Sequence, residues 1–225
     1  MTAEELLDEI RADYPNVLTI SDGKDDKVIR IIKKSVLFPV RIHSFVTTVR
    51  KNKWLILWEA HSKKEIGDDC RISFVCYHDT GHGKYAYMPT FVKGKMVLLV
   101  FPPHIFSRFA ERMEINFAGT KLMKRYFEMN NSYSFNFSTE EVDGGHRENV
   151  FATCREGIAM GFKAVGLDVF LLKTFITYDM CKGEQIGNFA KSEEFRRLVH
   201  EDLKVTFLGR KVFYLLNYPS FAGFA

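Results

Sequence analysis

The chain has 225 residues, of which 46% are hydrophobic and 27% charged, and its formal net charge is +4. A folded chain of this length buries roughly 70% of the surface that its unfolded form exposes, so a core forms without disulfides or a structural metal. The composition excludes disordered, collagen-like and coiled-coil chains. The mild basic excess permits a polyanionic partner but does not require one.

The cysteines and the apolar segments predict a cytoplasmic protein that does not contact a membrane. Four cysteines lie at irregular spacings without a CxxC pair, which predicts free thiols in a reducing compartment. The acidic N-terminus lacks the basic start and the long apolar stretch of a secretion signal. The longest apolar run, residues 96–101, is much shorter than the roughly 20 residues that span a bilayer.

The N-terminal half is predicted to hold one helix and several strands. Thr2 and Glu5 have the spacing of a capping box, which predicts a short helix that ends before Pro15. The β-branched run at residues 28–32 predicts a first strand. Apolar runs separated by turn-forming residues predict two hairpins and a further strand, namely residues 45–49 with 54–58, residues 72–77 with 85–88, and residues 96–101.

The second half is predicted to begin with two helices and to continue with strands. Pro103 suits the first position of a helix, and a second helix is expected between Gly119 and Asn130. Ser192 is expected to cap a C-terminal helix. The predicted strands are residues 135–137, 149–154, 158–165 and 169–177. No linker or repeat divides the chain, so we expect a single α+β domain over residues 1–225, with a curved antiparallel sheet and helices at the N-terminus, in the middle and at the C-terminus.

Basic side chains follow one stripe of the helix predicted to begin at Pro103. His104, Arg108 and Arg112 are spaced four residues apart, so they project along one slowly drifting line. The N-terminal end of a helix dipole disfavours a cationic imidazole and attracts anions. His104 is therefore a candidate proton acceptor, and the two arginines are candidate phosphate ligands. The alternative is a surface helix whose arginines are solvated or paired with Glu111.

A later strand carries a fourth candidate. Successive residues of a strand face opposite sides, so Thr174 shares a face with Ile176 and Tyr178. A hydroxyl on that face can position a substrate. Threonine also suits strands because it is β-branched, and this purely structural alternative stays open.

Two segments of the chain resemble the barnase, EndoU, colicin and RelE-like nuclease superfamily. They are FPPHIFSRFAERM at residues 101–113 and VFLLKTFIT at residues 169–177. Members of that group, many of them toxins that act on RNA, have a small α+β fold with helices before a curved antiparallel sheet. The resemblance implies that His104 and Arg108 are active-site residues on a helix and that Thr174 is one on the closing strand.

Two functions from different classes fit the sequence. The first is metal-independent cleavage of RNA without a cofactor, in which His104 acts as general base, Arg108 and Arg112 hold the phosphate, and Thr174 positions the substrate. Motifs of other enzyme classes, such as the P-loop, HExxH and GxSxG, are missing from the sequence. The second is a non-catalytic cytosolic interaction protein with a protein partner, in which the same helix is only part of a surface.

Two features of the second predicted hairpin leave further alternatives open. His78, Asp79 and His82 lie at its turn, where they form either a local metal site or a solvated tip. The tyrosines of the hairpin and the two tryptophans of the chain either offer a stacking surface to bases or fill the core.

Overall fold

The computed structural model describes residues 2–66, 70–92, 95–142 and 145–181. Within these ranges the chain forms four helices and one sheet of nine strands. The helices are α1 (Ala3–Asp22), α2 (Asp25–Lys34), α3 (Pro103–Arg112) and α4 (Gly119–Met129). The strands are β1 (Val40–Thr47), β2 (Lys53–Ala60), β3 (Arg71–Thr80), β4 (Gly83–Val92), β5 (Lys95–Phe101), β6 (Ser134–Val142), β7 (Gly145–Cys154), β8 (Gly157–Lys163) and β9 (Val169–Ile176).

The sheet has the strand order β1-β2-β3-β4-β5-β9-β8-β7-β6 and is open, with β1 and β6 at its edges. The α+β class is therefore confirmed. The neighbouring strands are antiparallel except β5 and β9, which run parallel and pair Leu98 with Val169. A parallel pair requires a long connection, and here the connection contains α3, α4 and the meander β6-β7-β8. The sheet is thus mixed at one position where the sequence predicted only antiparallel pairing.

The helices cover the sheet on both faces. Helices α1 and α2 pack on one face, where Ile10, Val17 and Ile32 belong to the same buried cluster as the tryptophans of β2. Helices α3 and α4 pack on the other face, where Phe109 and Tyr126 contact Phe175 of β9. Edge-to-face contacts between buried aromatic rings stabilise this second core beyond their burial alone.

The capping box of α1 is confirmed, but the predicted end of the helix before Pro15 is wrong. The Thr2 hydroxyl accepts a hydrogen bond from the Glu5 amide, and the Glu5 carboxylate accepts one from the Thr2 amide. The helix continues through Pro15 to Asp22. Proline removes one amide donor and strains the preceding turn at a cost of about 3 kcal/mol. Burial of Tyr14 and Val17 on either side of Pro15 holds the helix together across that turn.

The strand predicted at residues 28–32 is wrong, because these residues belong to α2. Val28 and Ile32 are buried and lie four residues apart, which is the spacing of one helix face. Acidic residues occupy the first turn of α2 and lysines its last turn, in agreement with the helix dipole. Burial of Val28 and Ile32 on one face of the helix thus outweighs the weak intrinsic preference of β-branched residues for strands.

Both predicted hairpins and the helices that begin at Pro103 and Gly119 are confirmed. The predicted C-terminal helix at Ser192 lies outside the described residues, and the organisation as one domain stays a prediction. None of the described helices is long and apolar enough to cross a membrane.

Candidate functional site

The predicted site residues of α3 differ in their exposure to solvent and in their partners. Ile105 and Phe109 are buried against the sheet, whereas His104 and Arg108 are exposed on the outer side of the helix. The Arg108 guanidinium donates to the Glu111 carboxylate over 2.9 Å, so the ion pair expected in the structural alternative is present. Arg112 is half-buried, and its Nη1 atom has no hydrogen-bond partner among the described residues.

Thr174 lies on the other face of the sheet from α3. Phe170, Leu172 and Phe175 of β9 belong to the core under α3, whereas Thr174 pairs with Met160 beside Ile176. A bulge next to Lys173 causes this arrangement, because Met160 pairs with Thr174 but Gly161 pairs with Leu172. An extra residue in one strand reverses which side chains face the core. The four candidate residues therefore do not meet in one site, and their catalytic roles stay predictions.

The structure does not bring His78, Asp79 and His82 together. The His78 ring stacks on Tyr85 and Tyr87, and its Nδ1 atom is 3.0 Å from the Tyr87 hydroxyl. Asp79 follows it in β3, on the opposite face of the sheet, where it contacts Lys53 and Lys84. No group of three or more metal-ligating side chains occurs in the described part of the chain.

A shallow groove lies between the edge strand β1 and the N-terminus of α4. Its volume is about 350 Å³, and we name it the β1–α4 groove. Its lining residues come from four strands and a helix and include Phe45, Thr47, Lys53, Tyr77, Lys84 and Thr120. Ala118 provides no capping side chain for α4, and the first turn of this helix holds no acidic residue. Its free amide groups add positive potential at this end of the groove.

One carboxylate in the groove is shared by two lysines. Asp79 contacts the Lys84 ammonium through one oxygen and the Lys53 ammonium, at 3.4 Å, through the other. The hydrogen bond from Lys84 is the largest cause that holds the pKa of Asp79 below its usual value, and Lys53 adds to it. Two positive charges and one negative charge thus face each other at the wall of the groove.

Two further carboxylates, one on β2 and one near the C-terminal end of α4, also each contact more than one basic side chain. The Glu59 carboxylate is buried and lies 2.8 Å from Arg41 and 3.5 Å from Arg71. Burial raises the pKa of Glu59, but the charges of Arg71 and Arg41 outweigh it and lower the pKa below its usual value. Glu128 of α4 contacts Lys124 at 3.3 Å and the His43 ring at 3.6 Å. Basic side chains therefore outnumber carboxylates along this side of the sheet.

Two aromatic rings form part of the wall of the groove. Phe45 is 40% exposed, and its ring meets the Tyr77 ring at 80°, with 5.9 Å between the ring centres. The Lys84 ammonium lies 5.4 Å from the centre of the Tyr77 ring. Burial raises the pKa of the Tyr77 phenol, so this hydroxyl stays neutral in physiological solution. The groove thus combines an exposed ring with adjacent positive charge.

The groove adjoins the N-terminus of α3. Gly83 has a φ of +124°, and a Cβ atom built on it would lie 3.0 Å from the Cβ atom of Pro103. Pro103 directly precedes His104, and Gly83 directly precedes Lys84. This close approach places the first turn of α3, which carries the exposed His104, against the β3–β4 turn that also carries Lys84 of the groove.

Sequence reasoning identified the exposed histidine but missed the groove beside it. The sequence predicts for Lys53 only a place in the turn between residues 49 and 54, for Tyr77 only a place among the tyrosines of a hairpin, and for Phe45 only a place in a strand. These residues come together through the pairing of β1, β2 and β3. Their alternation along the strands was the available signal, because it puts Phe45 and Tyr77 on the same face once the register is known.

Comparisons of the chain with protein-family models, with curated proteins and with solved structures give no significant match.

Proposed function

We propose that this chain binds RNA in the β1–α4 groove and cleaves it with His104 as general base. One observation supports the proposal, namely that the first turn of α3, which carries the exposed His104, packs against the turn that carries Lys84 of a groove in which basic side chains outnumber carboxylates. Phosphate contacts with lysine and arginine supply most of the affinity for nucleic acids of any sequence. Imidazole is the side chain most often used to accept a proton near neutral pH.

The chemistry requires only the substrate and these side chains. In its neutral form, His104 accepts the proton of a ribose 2′-hydroxyl, and the 2′ oxygen attacks the adjacent phosphorus. The bond from phosphorus to the 5′ oxygen breaks, solvent water supplies a proton to the leaving oxygen, and a 2′,3′-cyclic phosphate remains. Lys53 and Lys84 stabilise the negative charge that develops on the phosphate oxygens during the attack.

Replacing His104 with alanine should reduce cleavage of RNA by a hundredfold or more, since general base catalysis contributes about 10²- to 10⁴-fold. The measurement is gel electrophoresis of a labelled RNA after incubation with each purified variant, with end-group analysis for the cyclic phosphate. His146→Ala is the matched control, because His146 is also exposed but lies in β7. If the wild-type protein cleaves no RNA, or if His104→Ala and His146→Ala cleave it equally, the proposal that His104 is a general base is wrong.

Replacing Lys53 with alanine should weaken binding of RNA of any sequence and make it less sensitive to salt. Lys53 is half exposed at the groove, and loss of one phosphate contact lowers the slope of log affinity against log salt by about 0.7 for single strands. Fluorescence anisotropy in a His104→Ala background measures binding without cleavage. Lys33→Ala on α2 is the control. If the slope of log affinity against log salt is equal in the two variants, Lys53 does not contact the RNA.

A non-catalytic interaction protein is the second candidate function. It is favoured by the placement of Thr174 on the far face of the sheet and by the pairing of Arg108 with Glu111. These contacts leave His104 without two of the residues expected to act with it. RNA that binds to the wild-type protein, shows the Lys53 effect and stays intact would support RNA binding without cleavage, whereas a chain that acts through a protein partner should bind none of the RNA probes.

A further inference from the structure

We infer that the β1–α4 groove selects single-stranded RNA by stacking a base on the exposed ring of Phe45. The inference rests on RNA binding in the proposed function, but it does not depend on cleavage by His104. It assigns a specificity-determining role to an aromatic residue that neither phosphate binding nor catalysis uses.

One side of Phe45 packs against neighbouring residues, and the other side faces solvent. Among the described strands, β1 pairs with β2 alone, and Phe45 lies opposite Leu55. The edge-to-face contact with Tyr77 orients the ring, while 40% of the residue remains exposed to solvent. A ring held in this way offers a stacking surface at little cost in conformational entropy, because its neighbours already restrict it.

The charges around Phe45 match those of a nucleotide strand. Lys53 and Lys84 line the same groove as Phe45, and Asp79 neutralises only one of them. The uncapped N-terminus of α4 at Thr120 adds a further attraction for anions. An aromatic ring for the base beside cations for the phosphates is the arrangement by which proteins bind single strands without sequence preference.

The size of the groove and the geometry of duplex RNA favour a single strand. At about 350 Å³ the groove lies at the lower end of the range for small-ligand sites, which is about 300–1,000 Å³. In a duplex the faces of the bases are covered by their neighbours, so a side chain at the surface reaches only the backbone and the groove edges. A base from a single strand turns outwards freely and exposes its face to Phe45.

The chain contains a matched control for this role. Phe137 is 49% exposed on β6, the other edge strand, and its ring also contacts a second aromatic ring, that of Phe170. It differs from Phe45 in lying outside the β1–α4 groove, since none of the described residues that line the groove comes from β6. An effect of exposed phenylalanine on solubility or stability alone would appear equally at Phe137.

The experiment measures binding by fluorescence anisotropy in a His104→Ala background, which prevents cleavage. The probes are oligouridine, an abasic ribose-phosphate strand of equal length, a duplex RNA and the corresponding single-stranded DNA. We expect oligouridine to bind roughly tenfold more tightly than the abasic strand, because stacking of one base contributes on that order. Phe45→Ala and Phe45→Leu should both remove this advantage and leave binding of the abasic strand unchanged. Phe137→Ala should alter neither affinity.

The following results would overturn the inference, and each points to a different cause. If the abasic strand or the duplex binds as tightly as oligouridine, or if Phe45→Leu is neutral, stacking on Phe45 is excluded while RNA binding itself stands. If Phe45→Ala weakens the binding of intact and abasic strands equally, the residue acts on the fold or the charges and not on a base. If none of the probes binds, RNA binding fails together with the inference. The DNA probe shows whether the 2′-hydroxyl contributes to recognition.

Discussion

Replacement of Gly161 by alanine should destabilise the protein by more than about 4 kcal/mol, an effect rarely seen for a single substitution. A Cβ atom at this position would lie 1.8 Å from the carbonyl oxygen of Leu171 and 2.8 Å from the Cα atom of Leu172. Both atoms belong to the backbone of β9, so relief of the clash requires a shift of the strand itself. Gly161 therefore permits the close approach of β8 and β9 at the bulge.

Urea denaturation followed by circular dichroism measures this effect. Gly81→Ala is the control, because Gly81 lies in the β3–β4 turn with open space around its Cβ position, and its stability should match that of the wild type. If Gly161→Ala unfolds at the urea concentration of the control, β9 adapts to the added methyl group and the close packing is not essential. Since the bulge also sets which face Phe175 occupies, loss of this contact would disturb the strand on which α3 rests.

Replacement of Asp13 by alanine should destabilise the protein by about 3–5 kcal/mol, as expected when one partner of a buried charged network is removed. The Asp13 side chain is fully buried and accepts hydrogen bonds from Thr48 at 2.7 Å, Trp54 at 2.8 Å and Asn52 at 2.9 Å. These bonds join α1 to the β1–β2 turn. Without the carboxylate, the buried Thr48 hydroxyl and Trp54 indole lose their acceptor, whereas Asn52 keeps its hydrogen bond to Glu9.

The control for Asp13 is another aspartate of the same helix. Asp8 is exposed and pairs only weakly with Arg11 at 3.4 Å, so Asp8→Ala should change the free energy of unfolding by less than about 1 kcal/mol. Thermal or urea unfolding at pH 7 compares the two variants. Equal stabilities would show that the hydrogen bonds of Asp13 contribute nothing beyond those of a surface carboxylate.

The Asp13 contribution should also depend on pH. Burial raises the pKa of Asp13, but the hydrogen bonds from Thr48, Trp54, Asn52 and Asn16 outweigh it and lower the pKa below its usual value. The folded state therefore binds a proton less readily than the unfolded state, so the contribution is complete above the unfolded pKa and is lost as the pH falls through the folded pKa. The stability difference between wild type and Asp13→Asn should accordingly shrink on acidification.

Local signals predicted the hairpins and the two central helices well. Turn residues such as Gly81 and the alternation of the flanking strands act within a few residues, and the proline at the start of α3 acts on its own backbone. The wrong predictions at Pro15 and at residues 28–32 have a non-local cause. In both places, burial against a distant part of the sheet outweighed the local preference of the chain.

The candidate site was predictable only in part, for the same reason. The exposure of His104 follows from the periodicity of its own helix. The position of Thr174 depends on a bulge produced by the packing of β8 on β9, which no pattern within β9 reveals. The closeness of Phe45, Lys84 and Thr120 depends on strand pairing and on the return of α4 to the sheet, so it becomes visible only in three dimensions.

The parallel junction between β5 and β9 has a consequence for the order of folding. The pairing among β1 to β5 involves only strands that are neighbours in the sequence, so these five strands can assemble on the ribosome before β9 has been synthesised. The second meander is complete only when β9 docks on the preformed β5. Until then Phe109 of α3 lacks its contact with Phe175, although Phe106 of the same helix can already pack on Phe101 of β5. The nascent chain therefore leaves part of this aromatic core uncovered until β9 has been synthesised.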